Sequence, residues 1–168
     1  KAIVLPNNGN IVMAAKQAAE VSDIPVGIVP TKTISQGLTA MLSFNPDASV
    51  DDNVEAMTED LDTVVSGEVT QATRDTEIDE VEIHKNDYLG IVDGKIKVDN
   101  ADLIKTTVDM IEKMLDEDSE IITIMFGRDA SEEQAQEVVE QLEAKHDDLE
   151  FEIHDGGQPV YHFLVSVE

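Results

Sequence analysis

Cysteine and tryptophan are both missing from the 168 residues. Without cysteine there is no disulfide, nothing calls for an oxidising compartment, and a zinc site of the usual cysteine-rich kind cannot be built. Positive charge is scarce as well: 11 basic residues stand against 37 acidic ones, for a formal charge of -26. A field of that sign repels phosphate backbones and anionic headgroups, which argues against nucleic acid as a partner. It leaves two readings open, a basic protein partner or a solvated acidic surface. Long hydrophobic runs are lacking too. IITIMF at 121–126, among the longest, falls far short of the roughly 20 residues that a membrane span takes, so no membrane insertion is expected and the cytoplasm is the default address. Neither an initiator Met nor a signal-peptide pattern opens the chain. Starting on Lys1 inside a strand-like pattern, it reads as an excised piece of a longer protein, with its first lobe truncated at the start.

What is present suffices for a sizeable core, since 41% of the residues are hydrophobic. AIVL at 2–5 and PVGIVP at 25–30 read as buried strands around a helix over 10–21, with Ile11, Ala14, Ala15 and Ala18 at helical spacing, so a βαβ unit is expected. TKTISQGLTAMLSF begins a second helix. DDNVEAMTEDLDTVV gives a third, with Val54, Met57, Leu61 and Val64 on one face. The middle alternates apolar and polar residues at period two, as half-buried strands do. Asp93-Gly94 marks a type I′ hairpin over 88–98, because both central turn residues need positive φ. A helix at about 101–116 should turn Leu103, Ile104, Val108, Ile111 and Leu115 inward. Strand, helix (Ala135, Val138, Val139, Leu142) and strand then repeat the opening pattern. The expected fold is α/β: two closely packed lobes, 1–66 and 67–168, with βαβ units flanking a hairpin-rich centre.

If each unit's strands are parallel, PNNGN and PTKTISQG leave strand C-termini on one edge, where open α/β sheets bind ligands. Asn8 or Asn10 can equally cap the helix, and Thr33 with Gln36 fits a capping box. Thr31, Lys32 and Thr33 at a helix start could meet a phosphate, yet neither G-x-x-x-x-G-K-[ST] nor G-x-G-x-x-G occurs. The four histidines have no tight ligand spacing. HDGGQPVYH groups His154, Asp155 and His162, but Gly156-Gly157 at positive φ and Pro159 explain that stretch as a turn, so no metal is expected. No serine sits in a triad-like context, and no catalytic residue is assigned. Arg74, one of two arginines, lies among acids as an ion-pair hub or a partner contact.

VLPNNGNIVMAA, VPTKTISQGLTAML, GEVTQATRDTEIDEVEIHKNDYLGIVDGKI and GGQPVYHFLVSVE, in that order, resemble the C-terminal domain of the bacterial fatty acid kinase large subunit. That family is dihydroxyacetone-kinase-like, and this part of it is similar to the DegV-like lipid-binding fold. The resemblance implies that ATP and magnesium belong to a kinase domain outside this chain, with no cofactor here. It also implies a docking module for a separate fatty-acid-binding subunit, whose acyl carboxylate becomes an acyl phosphate. Direct lipid binding is the alternative. Asn7, Asn8 and Asn10, then Thr31, Thr33, Gln36 and Gly37, then Thr70, Arg74 and Asp75, and finally Gly157, Gln158, Pro159 and Tyr161 fall on the motif positions. The resemblance therefore offers Asn7, Asn8, Asn10, Thr31, Thr33, Gln36, Arg74, Asp75, Gln158 and Tyr161 as a partner or ligand surface. Gly9 departs from the usual basic residue, and His162 stands where proline is common.

Overall fold

The computed structural model describes residues 1–78 and 81–168, and within it the chain divides into two units, Lys1–Val64 and Val65–Glu168. In the first, β1 (Ala2–Val4) pairs in parallel with β2 (Val26–Ile28), Ile3 lying opposite Gly27, and α1 (Val12–Glu20) makes the crossover expected of a βαβ unit. α2 (Ile34–Leu42) and α3 (Val50–Glu59) follow. Ser49 caps α3 by accepting the Asp52 N–H at 3.1 Å, and Asp51 and Asp52 place negative charge on its N-terminal turn. Val29, Ala40, Met57 and Leu61 form the core, with Ile3, Leu5 and Val54 packed against it.

Two expectations for α1 fail. Neither Asn8 nor Asn10 caps it: the N-cap position is Ile11, with no side-chain bond to the helix, and the asparagines instead bend the chain before the helix begins. The inward face is also wrong by one position. Ile11, Ala14 and Ala18 are exposed, whereas Val12, Ala15 and Ala19 turn partly inward, and no α1 residue is buried. An alanine-rich helix has apolar positions all round, so spacing alone does not choose among rows.

In the second unit, β3 (Val65–Gln71), β6 (Tyr88–Val92), β7 (Lys95–Asn100), β8 (Ile121–Phe126), β9 (Glu150–Asp155) and β10 (Tyr161–Val167) form one sheet. Its order is β7-β6-β3-β10-β8-β9, and β4 (Thr76–Ile78) pairs antiparallel with β5 (Val81–Ile83) in a separate two-stranded sheet. β8 and β9 alone run parallel, connected by α5 (Glu132–Glu143), and the other pairings are antiparallel. Asp93 (φ 46°) and Gly94 (φ 79°) make the β6–β7 turn with both residues left-handed, as the hairpin signal required. α4 (Leu103–Glu112) is shorter than expected: Asp102 caps it, and Met110 and Ile111 carbonyls close its end. Met110, Ile111, Val138 and Leu142 from α4 and α5 meet Val69, Ile122, Phe163 and Val165 of the sheet in the main core. Ala135, Val138, Val139 and Leu142 are all buried, as their spacing predicted.

Glu112 ties α4 to the end of α5. Its carboxylate accepts from Lys145 Nζ at 2.8 Å and lies 3.0 Å from His146 Nε2. The Lys145 hydrogen bond is the main cause holding the Glu112 pKa below the usual carboxylate value, with His146 adding to it against desolvation. Because the folded-state value is the lower one, the stabilisation is complete above the unfolded pKa and is lost as pH falls through the folded one. The stability gap between wild type and Lys145→Met in urea unfolding is therefore expected at pH 7 and should close toward pH 3. An equal gap at both pH values would remove the ion pair as its cause.

Candidate functional site

The two loops that leave β1 and β2 meet on one edge. The Asn7 N–H donates to Thr31 Oγ1 at 2.9 Å, Thr31 is fully buried, and Asn7 holds a left-handed φ of 54°. α2 comes so close that a Cβ on Gly37 would lie 2.7 Å from Asn7 Cγ, so only glycine leaves the amide its place. Thr33 Oγ1 accepts from the Gln36 N–H at 3.1 Å, which is half of the expected capping box. The other half is diverted: Gln36 Oε1 accepts from the Lys32 N–H at 2.8 Å, and its Nε2 donates to the Leu61 carbonyl at 3.2 Å. A complete box occurs instead at Ser131 and Gln134 of α5.

Asn7 and Thr31 therefore hold each other, while Thr33 and Gln36 hold the start of α2. Asn8 Oδ1 accepts from the Asn10 N–H at 2.9 Å in an exposed turn, and Lys32 supplies the cation beside Gly9, its Cγ 3.7 Å from where a Cβ would stand. Asn7 Oδ1 is buried and has no hydrogen-bond partner among the described residues. Such an orphan costs about 1–3 kcal/mol where no water or other group meets it.

In the second unit, Thr70, Gln158 and Tyr161 come together. Gln158 Nε2 donates to the Met125 carbonyl at 3.0 Å, and Thr70 Oγ1 donates to the Val160 carbonyl at 3.0 Å. Val160 has φ 73° beneath a Tyr161 N–H to Pro159 carbonyl bond of 2.8 Å, the rare γ-turn with positive φ. Of the glycine pair, Gly157 alone is left-handed; Gly156 is there because a Cβ would collide with the Gln158 amide. Burial raises the Tyr161 pKa, and Glu68, itself raised by burial, adds to that. His162 is pushed down by burial and stacks edge-on against Tyr88 at 5.1 Å, its Nδ1 without a partner among the described residues.

Arg74 is exposed and forms no ion pair with a described residue, so the hub reading finds no support there. Asp75 is structural: Oδ1 accepts the Lys85 N–H at 2.7 Å. That bond fixes the loop in which His84 approaches Asp99 at 2.8 Å, and the same hydrogen bond raises the His84 pKa. His84, Asp87 and Asp99 are the group among the described residues with metal-type spacing, not His154, Asp155 and His162. Spacing in the sequence gave no sign of it, because its members come from the end of β5, a turn and β7.

A recess of 280 Å³ opens in the first unit, lined by Ile3, Leu5, Met41, Phe44, Val50 and Met57. Asn53 also borders it, but that side chain is spent: Nδ2 donates to the Asn45 and Ser49 carbonyls at 2.8 and 2.9 Å, and Oδ1 accepts the Asn45 N–H at 2.7 Å. The recess is thus apolar, with Lys1 as its one charged lining residue.

An α/β architecture of this kind is shared by DegV family proteins. A DegV family protein from Corynebacterium glutamicum superposes with a TM-score of 0.63 at 14% identity, over 98% of this chain and 74% of that one. The fatty acid kinase B3 protein of Streptococcus pneumoniae, solved loaded with linoleic acid, gives 0.58 at 12% identity, over 99% and 70%. Sequence is more specific. The chain belongs to the FakA-like family of fatty acid kinase C-terminal domains, whose model matches residues 1–168. It is 40% identical over its full 168 residues to an uncharacterized protein of Staphylococcus aureus strain USA300, and it spans 31% of the length of that relative. No helix among the described residues is long and apolar enough to cross a membrane.

Proposed function

We propose that this chain is the non-catalytic C-terminal domain of a fatty acid kinase and that it docks the separate fatty-acid-binding subunit. Held there, the acyl carboxylate is presented to a kinase domain elsewhere in the longer polypeptide, which binds ATP and magnesium and works in the cytoplasm. The observation that carries this reading is the family match across all 168 residues in a chain that spans 31% of a relative's length. The residues agree with it: Thr31, Thr33, Gln36 and Thr70 hydrogen-bond within their own unit, largely to backbone groups, which suits a scaffold better than a catalytic centre.

The apolar recess favours a second reading, direct acyl-chain binding. A lipid site needs a few free polar groups to fix the carboxylate; Asn53 has none to offer, which leaves Lys1 alone among the lining residues to do so. Docking is therefore preferred. Native mass spectrometry of the purified full-length protein, alone and with the binding subunit, separates the two. Docking predicts a stoichiometric complex and no acyl adduct on the kinase chain alone. A stoichiometric fatty acid on that chain, without a complex, would reverse the order of the two readings.

A further inference from the structure

α2 is built inside out. Its buried residues are small or polar, Ser35, Gly37, Thr39 and Ala40, whereas Ile34, Leu38, Met41 and Leu42 are 41, 54, 48 and 82% exposed. Positions 34, 38, 41 and 42 share one helical face, so four large apolar side chains make a stripe on the outside. The inner side has no room for them: Gly37 touches the Asn7 amide, and Ala40 is fully buried in the core with Val29 and Met57.

The stripe lies in a region of unusual surface chemistry. Among the described residues, ten of the twelve exposed large hydrophobics fall between Val4 and Phe44. Charge follows the same division: residues 1–46 carry three lysines and two acids, while 47–168 carry eight basic and 35 acidic residues. A merely solvated face has the opposite character, rich in charge and poor in large apolar groups. An apolar stripe bordered by acids, here Asp60 bonded to Ser43 at the end of α2 and the acidic residues of α3, is the pattern of an interaction surface with an apolar centre and a polar rim.

We propose that the outward stripe of α2, with Leu38 and Leu42 at its centre, seats the fatty-acid-binding subunit through an apolar patch rimmed by basic residues on that partner. The inference rests on the docking reading and gives it a location. Charge selects this occupant over a second copy: residues 47–64, which pack beside α2, carry seven acids and no base, so a copy would set those acids against their like, whereas a basic rim meets them favourably.

The test uses the full-length protein and the purified fatty-acid-binding subunit, with affinities from calorimetry for wild type, Leu38→Asp, Leu42→Asp and, as a control outside the patch, Ile78→Asp. Both leucine variants should weaken binding at least about 30-fold, as loss of a central anchor does, with the control within about twofold. Melting temperatures should hold, since these side chains are already open to water. Hydrogen exchange on the wild type reads the same surface independently of any variant: α2 amides should slow on complex formation. Wild-type binding with neither variant loss nor α2 protection overturns the surface and leaves docking standing. Absence of any wild-type complex overturns docking and the surface with it. A homodimer that Leu42→Asp dissolves, or α2 amides already protected in the free full-length protein, would give the stripe to a second copy or to the rest of the polypeptide, and would overturn the proposal.

Discussion

Gly127→Ala is expected to destabilise the second unit by about 3 kcal/mol, the upper end of overpacking costs. A Cβ at this position would press into the Tyr161 carbonyl and lie 2.7 Å from the Gln158 carbonyl oxygen. Neither oxygen is free to retreat. The Gly127 N–H donates to the His162 carbonyl at 2.9 Å, the Arg128 N–H donates to the Gln158 carbonyl at 3.0 Å, and Arg128 Nε donates to the Gly157 carbonyl at 3.0 Å. The obstacle is therefore a loop clamped from several sides, not one movable side chain. Gly67→Ala is the matched comparison, because there the new methyl meets Met114 Sδ and Met110 Cε, the pliant ends of two side chains. Urea unfolding of both variants checks the contrast. Equal losses would show that clamping of the 158–161 loop is not what makes Gly127 necessary.

Gly127 also illustrates why part of this molecule was legible in its sequence and part was not. Periodicity read α5 correctly, because Ala135, Val138, Val139 and Leu142 form one clean row against acidic neighbours, and the Asp93-Gly94 turn followed from backbone sterics alone. The parallel pairing of β1 with β2, and hence the meeting of Asn7 with Thr31, followed from the strand–helix–strand pattern. α1 was misread because alanines leave its inward row undetermined. The diversion of Gln36 to Lys32 and Leu61 depends on where the chain beyond α3 returns, which lies 25 residues away. The outward stripe of α2 had a visible signal, large apolar residues opposite Ser35, Gly37, Thr39 and Ala40. Spacing says that two faces differ; it does not say which one meets the core, and an apolar row is ordinarily the buried one.

Association of the full-length protein with the fatty-acid-binding subunit is expected to slow about tenfold or more as salt is raised from about 20 mM to 0.5 M, within the range that electrostatic steering spans. The cause is the uneven charge, with 35 acids and eight basic residues beyond position 46 against a nearly neutral stretch before it. Such a field attracts a basic-rimmed partner from a distance, while the apolar stripe, once reached, holds it by desolvation that salt does not screen. The screening length is about 8 Å at 0.15 M ionic strength and about 3 Å at 1 M, so most of the acceleration should disappear within the accessible range. Dissociation should change little over the same series, because its barrier is set by Leu38 and Leu42 rather than by the acids. Stopped-flow mixing at several salt concentrations measures both rates. A flat association rate would leave the charge of -26 as a solubilising surface with no part in recognition. A dissociation rate that rises steeply with salt would mean that ion pairs, not the apolar face, hold the complex together.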